Sequence, residues 1–318
     1  ALNCDAEAVR DTIMDNADFR RQTEIFYRSY AGWCDRHRET LYSLATGFAP
    51  KRLIEVLSDS LLAIFKRDES LVDAYDAYDC LMNYWSETMQ DDCYLIAANG
   101  WKAELYTPQP AAKKKDAKPK EKKASTPEDV ACDLLPVSIV IDEYFAKDKH
   151  LISASEELLN DKENQLIELL EEHADEAFDE GNFADNKLTD GNVKKRIKTL
   201  DKKSDADEIA VLTQYLKLKE DISLTKKTLK TLKYNLLTAL TVKYANLTED
   251  DIKRLVIERK WFATLSALLD SEMQRIGQQL TSEVSALAER YAQTLPEIDA
   301  EIADLESKVA AHLKQMGF

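Results

Sequence analysis

From Trp261 to Met316, apolar residues recur at steps that are almost all three or four: Trp261, Leu265, Leu268, Ile276, Leu280, Val284, Leu287, Tyr291, Leu295, Ile298, Ile302, Leu305, Val309, Leu313 and Met316. Polar and charged residues fill most of the gaps. That period is helical and leaves no room for a strand. Upstream, Ile209, Leu212 and Leu216 begin a similar stripe, and Ile222, Leu229 and Leu236 repeat every seven residues with Leu232 between them. Asn246-Leu-Thr-Glu marks a turn, and Thr248 with Asp251 has capping-box spacing. The simplest expectation is a long antiparallel, coiled-coil-like helical hairpin over 205–318. Thr294 and Glu297 could cap a new helix, yet the stripe passes Pro296 in register, which favours a kinked continuation.

Length turns that stripe into a functional statement. A helix over residues 250–293 is ~65 Å long at the standard rise. A partner helix of ~40 residues and one small helical unit cannot cover all of its apolar side. A second polypeptide, or a second copy, is expected on the remainder.

Composition supports an α fold throughout. Only seven Gly and seven Pro interrupt 318 residues rich in Ala, Leu, Glu, Lys and Asp, which predicts roughly two thirds helix. Residues 1–106 read as a helical unit. Within it, Leu53, Ile54, Leu57, Leu61, Leu62 and Phe65 form an amphipathic helix, and a second runs from about Leu71 to Met89 with Tyr75, Tyr78, Leu81, Met82 and Trp85 on one face. The run Cys93–Ala97 is compatible with a short strand or a helix. Residues 107–128 form a linker, with seven Lys against two acids over 113–123 and no large apolar residue. Residues 129–204 make an acidic helical segment.

Several chemistries are excluded by counting. The net charge of −16 is wrong for a chain that binds DNA with its general surface. No two prolines are adjacent, and the nearest glycines, Gly181 and Gly191, are ten apart. The Asn-Pro-Pro-aromatic loop, the Walker loop and the dinucleotide fingerprint are therefore missing. Cys4, Cys34, Cys80, Cys93 and Cys132 show no C-x-x-C pair, which suits reduced thiols in a cytoplasm. His173 lacks the Glu at 170 that a bundle metal site uses, so no metal is expected. His37, between Arg36 and Arg38, reads as exposed. No apolar run approaches ~18 residues, so no membrane helix is expected. The start, Ala-Leu-Asn-Cys-Asp, reads as a cut inside a longer chain.

The segment Tyr75-Asp-Ala-Tyr-Asp-Cys-Leu-Met-Asn-Tyr-Trp-Ser-Glu-Thr-Met-Gln-Asp-Asp-Cys-Tyr-Leu-Ile, with Gly100-Trp101, closely resembles the methylation subunits of type I restriction-modification systems just downstream of their catalytic domain. Cys132-Asp-Leu-Leu-Pro to Tyr144-Phe145, Leu255-Val-Ile-Glu-Arg-Lys-Trp261 and the tail from Ala288 to Phe318 resemble the same family in the same order. The resemblance implies a full-length subunit that transfers a methyl group from S-adenosylmethionine to adenine N6. Its catalytic motifs are missing here, so no catalytic residue, cofactor or metal site carries over to this chain. It also implies C-terminal helices docked on the specificity subunit, two modification subunits per specificity subunit, with the motor-nuclease subunit joining and DNA contacted mainly indirectly.

The expected partner-binding residues are Trp261, Leu265, Leu268, Ile276, Leu280 and Leu287, extended by Leu305, Val309, Leu313 and Met316, each with intramolecular core as its competing reading. Glu87, Gln90, Asp91 and Asp92 are read either as a helix end with a turn or as a contact that positions the catalytic domain. Lys113, Lys114, Lys115, Lys118 and Lys120 are either a solvated tether or a transient contact with DNA phosphate. Two other functions compete: a stand-alone coiled-coil scaffold that homodimerises, and an acidic DNA mimic.

Overall fold

A computed structural model of the chain describes residues 6–68, 70–108, 125–179, 183, 187–201, 204–290 and 295–316. The described residues are mainly helical, as composition requires, and divide into two compact units, 1–101 with 256–318, and 102–255. The C-terminal stripe from Val256 onward thus groups with the N-terminal helices.

The first unit contains α1 (Ala6–Asp15), α2 (Ala17–Tyr42), α3 (Pro50–Asp68), α4 (Ala74–Tyr84), a π-helical turn Trp85–Met89, and α5 (Gln90–Asn99). Local chemistry sets the helix starts. The Asn16 side chain accepts from the Asp18 and Phe19 N–H groups at the start of α2, and Asp73 does the same for Tyr75 at α4. Gly100 ends α5 at φ 75°, a conformation that side chains disfavour, and its N–H returns to the Ile96 carbonyl. The run Cys93–Ala97 lies inside α5, so the strand alternative falls away. Phe26, Trp33, Leu41, Leu57, Leu61, Phe65, Leu81, Ile96 and Trp261 fill the core.

The second unit holds α6 (Val137–Tyr144), α7 (Ala146–Glu172), α8 (Asp190–Thr199), α9 (Ala206–Ala245) and α10 (Glu249–Arg254). Thr248 and Asp251 form the expected reciprocal capping box. The partner of α9 is the acidic helix α7. Their facing charges pair as Lys226–Glu163 at 2.7 Å, Lys233–Glu156 at 2.7 Å and Lys162–Asp221 at 3.4 Å. Below these, Leu169, Phe178, Phe183, Val193, Leu212, Tyr215 and Leu218 form one apolar cluster. The stripe of α9 predicted a hairpin with the helix that follows it; within the second unit, α7 is the helix that covers α9. A heptad stripe shows that a helix needs a neighbour, and the basic stretch of α9 found it in α7.

A π-helical segment, Leu255–Phe262, precedes α11 (Ala263–Arg290) of the first unit, and α12 covers Leu295–Gln315. The geometry around Pro296 that would decide between kink and turn involves 291–294, outside the described residues. The buried row of α11 is Leu265, Leu269, Met273, Gly277 and Thr281, steps of four, and α11 packs against α1 and α4. A Cβ on Gly277 would lie 2.6 Å from Met14 Cε. That methyl group can rotate aside, so Gly277→Ala should leave stability within about 1 kcal/mol, helix propensity offsetting the squeeze. Gly277→Leu cannot be accommodated that way and should release α1. Limited proteolysis within residues 6–15 should then rise at least severalfold, while unchanged cleavage would refute this packing.

Candidate docking site

The long helix is held in the first unit by a buried polar anchor. Asp92, near the start of α5, accepts from Lys260 Nζ at 2.7 Å through Oδ1 and from Trp261 Nε1 at 2.8 Å through Oδ2. All three are sealed from solvent, at 2%, 6% and 1% exposure. Burial pushes the Asp92 carboxyl up, while Lys260 and Trp261 pull it back toward the charged form.

Both elements that carry this anchor are π-helical or adjoin a π turn. The wider turn displaces carbonyls from their usual partners, and side chains can take their place. Tyr30 Oη donates to the Phe262 carbonyl at 2.6 Å, and Tyr84 Oη donates to the Lys260 carbonyl at 3.3 Å. Burial pushes both phenols far up, so they stay protonated donors. Arg38 pairs with Glu258 at 2.7 Å from the side of α2. The helix is thereby fixed in rotation as well as position.

His37 belongs to the same core, against the expectation that it is exposed. Phe26, Tyr30, Trp33, His37 and Leu41 share the buried face of α2 at helical spacing. The flanking arginines point elsewhere, and His37 Nε2 shares a hydrogen bond with the Ser60 hydroxyl. Burial, then Arg36, lowers its pKa. A depressed native value means that the fold resists protonation of the ring. The stability it supplies is intact above the unfolded value of about 6.5 and is lost as pH falls through the native value. The urea midpoint should therefore drop on acidification below about pH 6.5, and His37→Gln should flatten the drop. An identical slope in the variant would refute the assignment.

The described thiols of this unit are poor nucleophiles. Burial raises Cys34 and Cys80 to about 11 and Cys93 further. Glu87 and Asp91 are exposed and Gln90 half-buried, so of the four polar residues singled out in the sequence only Asp92 enters the anchor. Lys260 and the Tyr30 and Tyr84 hydroxyls were missed. The one available signal was a lysine inside the apolar run Leu255-Val-Ile-Glu-Arg-Lys-Trp-Phe.

The expected partner-binding residues separate along the helix. Trp261 and Leu265 are buried inside the first unit and are not available to a partner. Ile276 and Leu280 are half-buried. Leu268 sits one position out of the buried row, and Leu287 is 50% exposed. The described row of α12 and Met316 just beyond it are open, from 37% at Ile298 to 73% at Met316, with Leu305, Val309 and Leu313 between. Ile302, Leu305, Val309 and Leu313 line a shallow apolar trough. Lys113, Lys114, Lys115, Lys118 and Lys120 lie outside the described residues.

The first unit thus combines a buried polar anchor with an amphipathic helix, α12, whose described apolar side chains are open. Comparison with models of known families, with curated proteins and with solved structures finds no match to this chain.

Proposed function

We propose that this chain is the non-catalytic, partner-docking C-terminal region of the modification subunit of a type I restriction-modification system, an adenine-N6 DNA methyltransferase that acts in the cytoplasm. Its role is to hold helices of the specificity subunit. Donor binding and methyl transfer belong to the part of the full-length subunit that carries the motifs missing here, and S-adenosylmethionine binds there. The second modification subunit and the motor-nuclease subunit join through the same assembly.

The observation that carries this reading is the open apolar row of α12. An amphipathic helix gains most of its stability from burying that face, and every described side chain of α12 is exposed. A second observation supports the family. The Tyr75–Trp101 block and the Leu255–Trp261 stretch, which both resemble the methylation subunits, meet through Asp92, Lys260 and Trp261.

Mixing the chain with the specificity subunit of its own system tests the proposal. Light scattering should give a complex of two copies of this chain per specificity subunit, and the chain alone should transfer no methyl group to DNA. No complex, with dimerisation of the chain instead, favours the stand-alone scaffold. Displacement of DNA from a DNA-binding protein favours the acidic mimic.

A further inference from the structure

The flanks of the α12 row carry a charge pattern that narrows its occupant. With Ile302 and Val309 at the a positions and Ile298 and Leu305 at d, the e positions are Asp299 and Glu306 and the g positions are Glu301 and Lys308. Residues 297–306 contain Glu297, Asp299, Glu301, Asp304 and Glu306 and no basic residue. The first base, Lys308, pairs within its own helix with Asp304 at 2.6 Å.

We infer that α12 takes a partner helix with an apolar seam flanked by lysines or arginines, and that this charge pattern discourages pairing with a second copy of the chain. The inference rests on the docking role proposed above and specifies the chemistry of what docks. In a parallel pair of copies, Glu301 of one lies beside Glu306 of the other, twice by symmetry. In an antiparallel pair, Glu306 can instead face Asp299. Like charges at these positions oppose association, and e and g residues set partner choice in such seams. The branched Ile302 and Val309 at a, with Leu305 at d, suit a two-stranded seam, so the apolar core does not itself forbid a second copy. The acids do.

Two measurements on the full chain test this. Labelled helical peptides with Ile at a and Leu at d, carrying either Lys or Glu at every e and g position, are titrated with the chain and followed by anisotropy. The Lys peptide should bind at least roughly tenfold tighter, and the gap should shrink at 1 M salt, where screening acts over about 3 Å. Equal binding, or preference for the Glu peptide, overturns the inference. Separately, Glu306→Lys turns both parallel like-charge contacts into Glu–Lys pairs and should strengthen self-association by roughly tenfold in sedimentation. A wild-type chain that already dimerises at micromolar concentration, and loses this on Leu305→Asp, overturns it as well. Capture of the Lys peptide without capture of the specificity subunit would leave the charge inference standing and remove the proposed function.

Discussion

Leu305→Asp should abolish capture of the specificity subunit, the proposed partner of α12, and should leave the thermal melt of the chain unchanged. Leu305 is 59% exposed on α12, in the middle of the open row, so the folded chain alone makes little use of it. In the proposed complex it would lie at the centre of the seam. Central apolar anchors of this kind typically cost at least ~2 kcal/mol when truncated, about thirtyfold in affinity. A carboxylate placed there also has to be stripped of water, which enlarges the loss. The same change at Leu265 should behave in the opposite sense, destabilising the chain itself, because Leu265 is part of the first unit's core. Binding by calorimetry and melting by circular dichroism separate the two. A Leu305→Asp chain that still binds with wild-type affinity would remove α12 from the interface.

Asp92→Leu should lower the stability of the first unit by about 3–5 kcal/mol, the range for removing one member of a buried ion pair. The carboxylate faces both Lys260 Nζ and Trp261 Nε1. Its loss leaves a buried ammonium without that counter-charge and an indole N–H without that acceptor. For a unit of this size, the melting temperature should fall by on the order of 10 °C. Lys260→Met in the Asp92→Leu background should recover a large part, because an apolar pair in place of a buried ion pair is often neutral or better. Urea denaturation of the four chains forms the cycle. Additive costs would show that the two residues do not act as a pair.

These two positions also mark how far the sequence could be read. The α12 row is visible as spacing alone, because an exposed amphipathic helix obeys only its own period. The burial of α11 is not. Its inward row runs through Leu269, Met273, Gly277 and Thr281, whereas the apolar stripe suggested Leu268, Ile276 and Leu280. The π-helical segment Leu255–Phe262 precedes α11 and rotates its faces relative to those of an uninterrupted α-helix. Gly277 then serves as core because Met14 of α1 approaches closely, and Thr281 turns its hydroxyl onto the Gly277 carbonyl; apolar periodicity registers neither. The Asp92–Lys260 contact joins residues 168 apart and leaves no periodic trace. Likewise α9 displayed its need for a neighbour, while the choice of α7 depended on lysines meeting acids across the pair.

Hydrogen exchange over residues 297–316, with and without the specificity subunit, tests the central claim most directly. A helix with no buried face opens easily, so these amides should exchange rapidly in the isolated chain. Docking should slow them by roughly a hundredfold or more, as the seam adds several kcal/mol to local opening. Strong protection in the isolated monomer, or unchanged exchange in the complex, would contradict the docking role of α12.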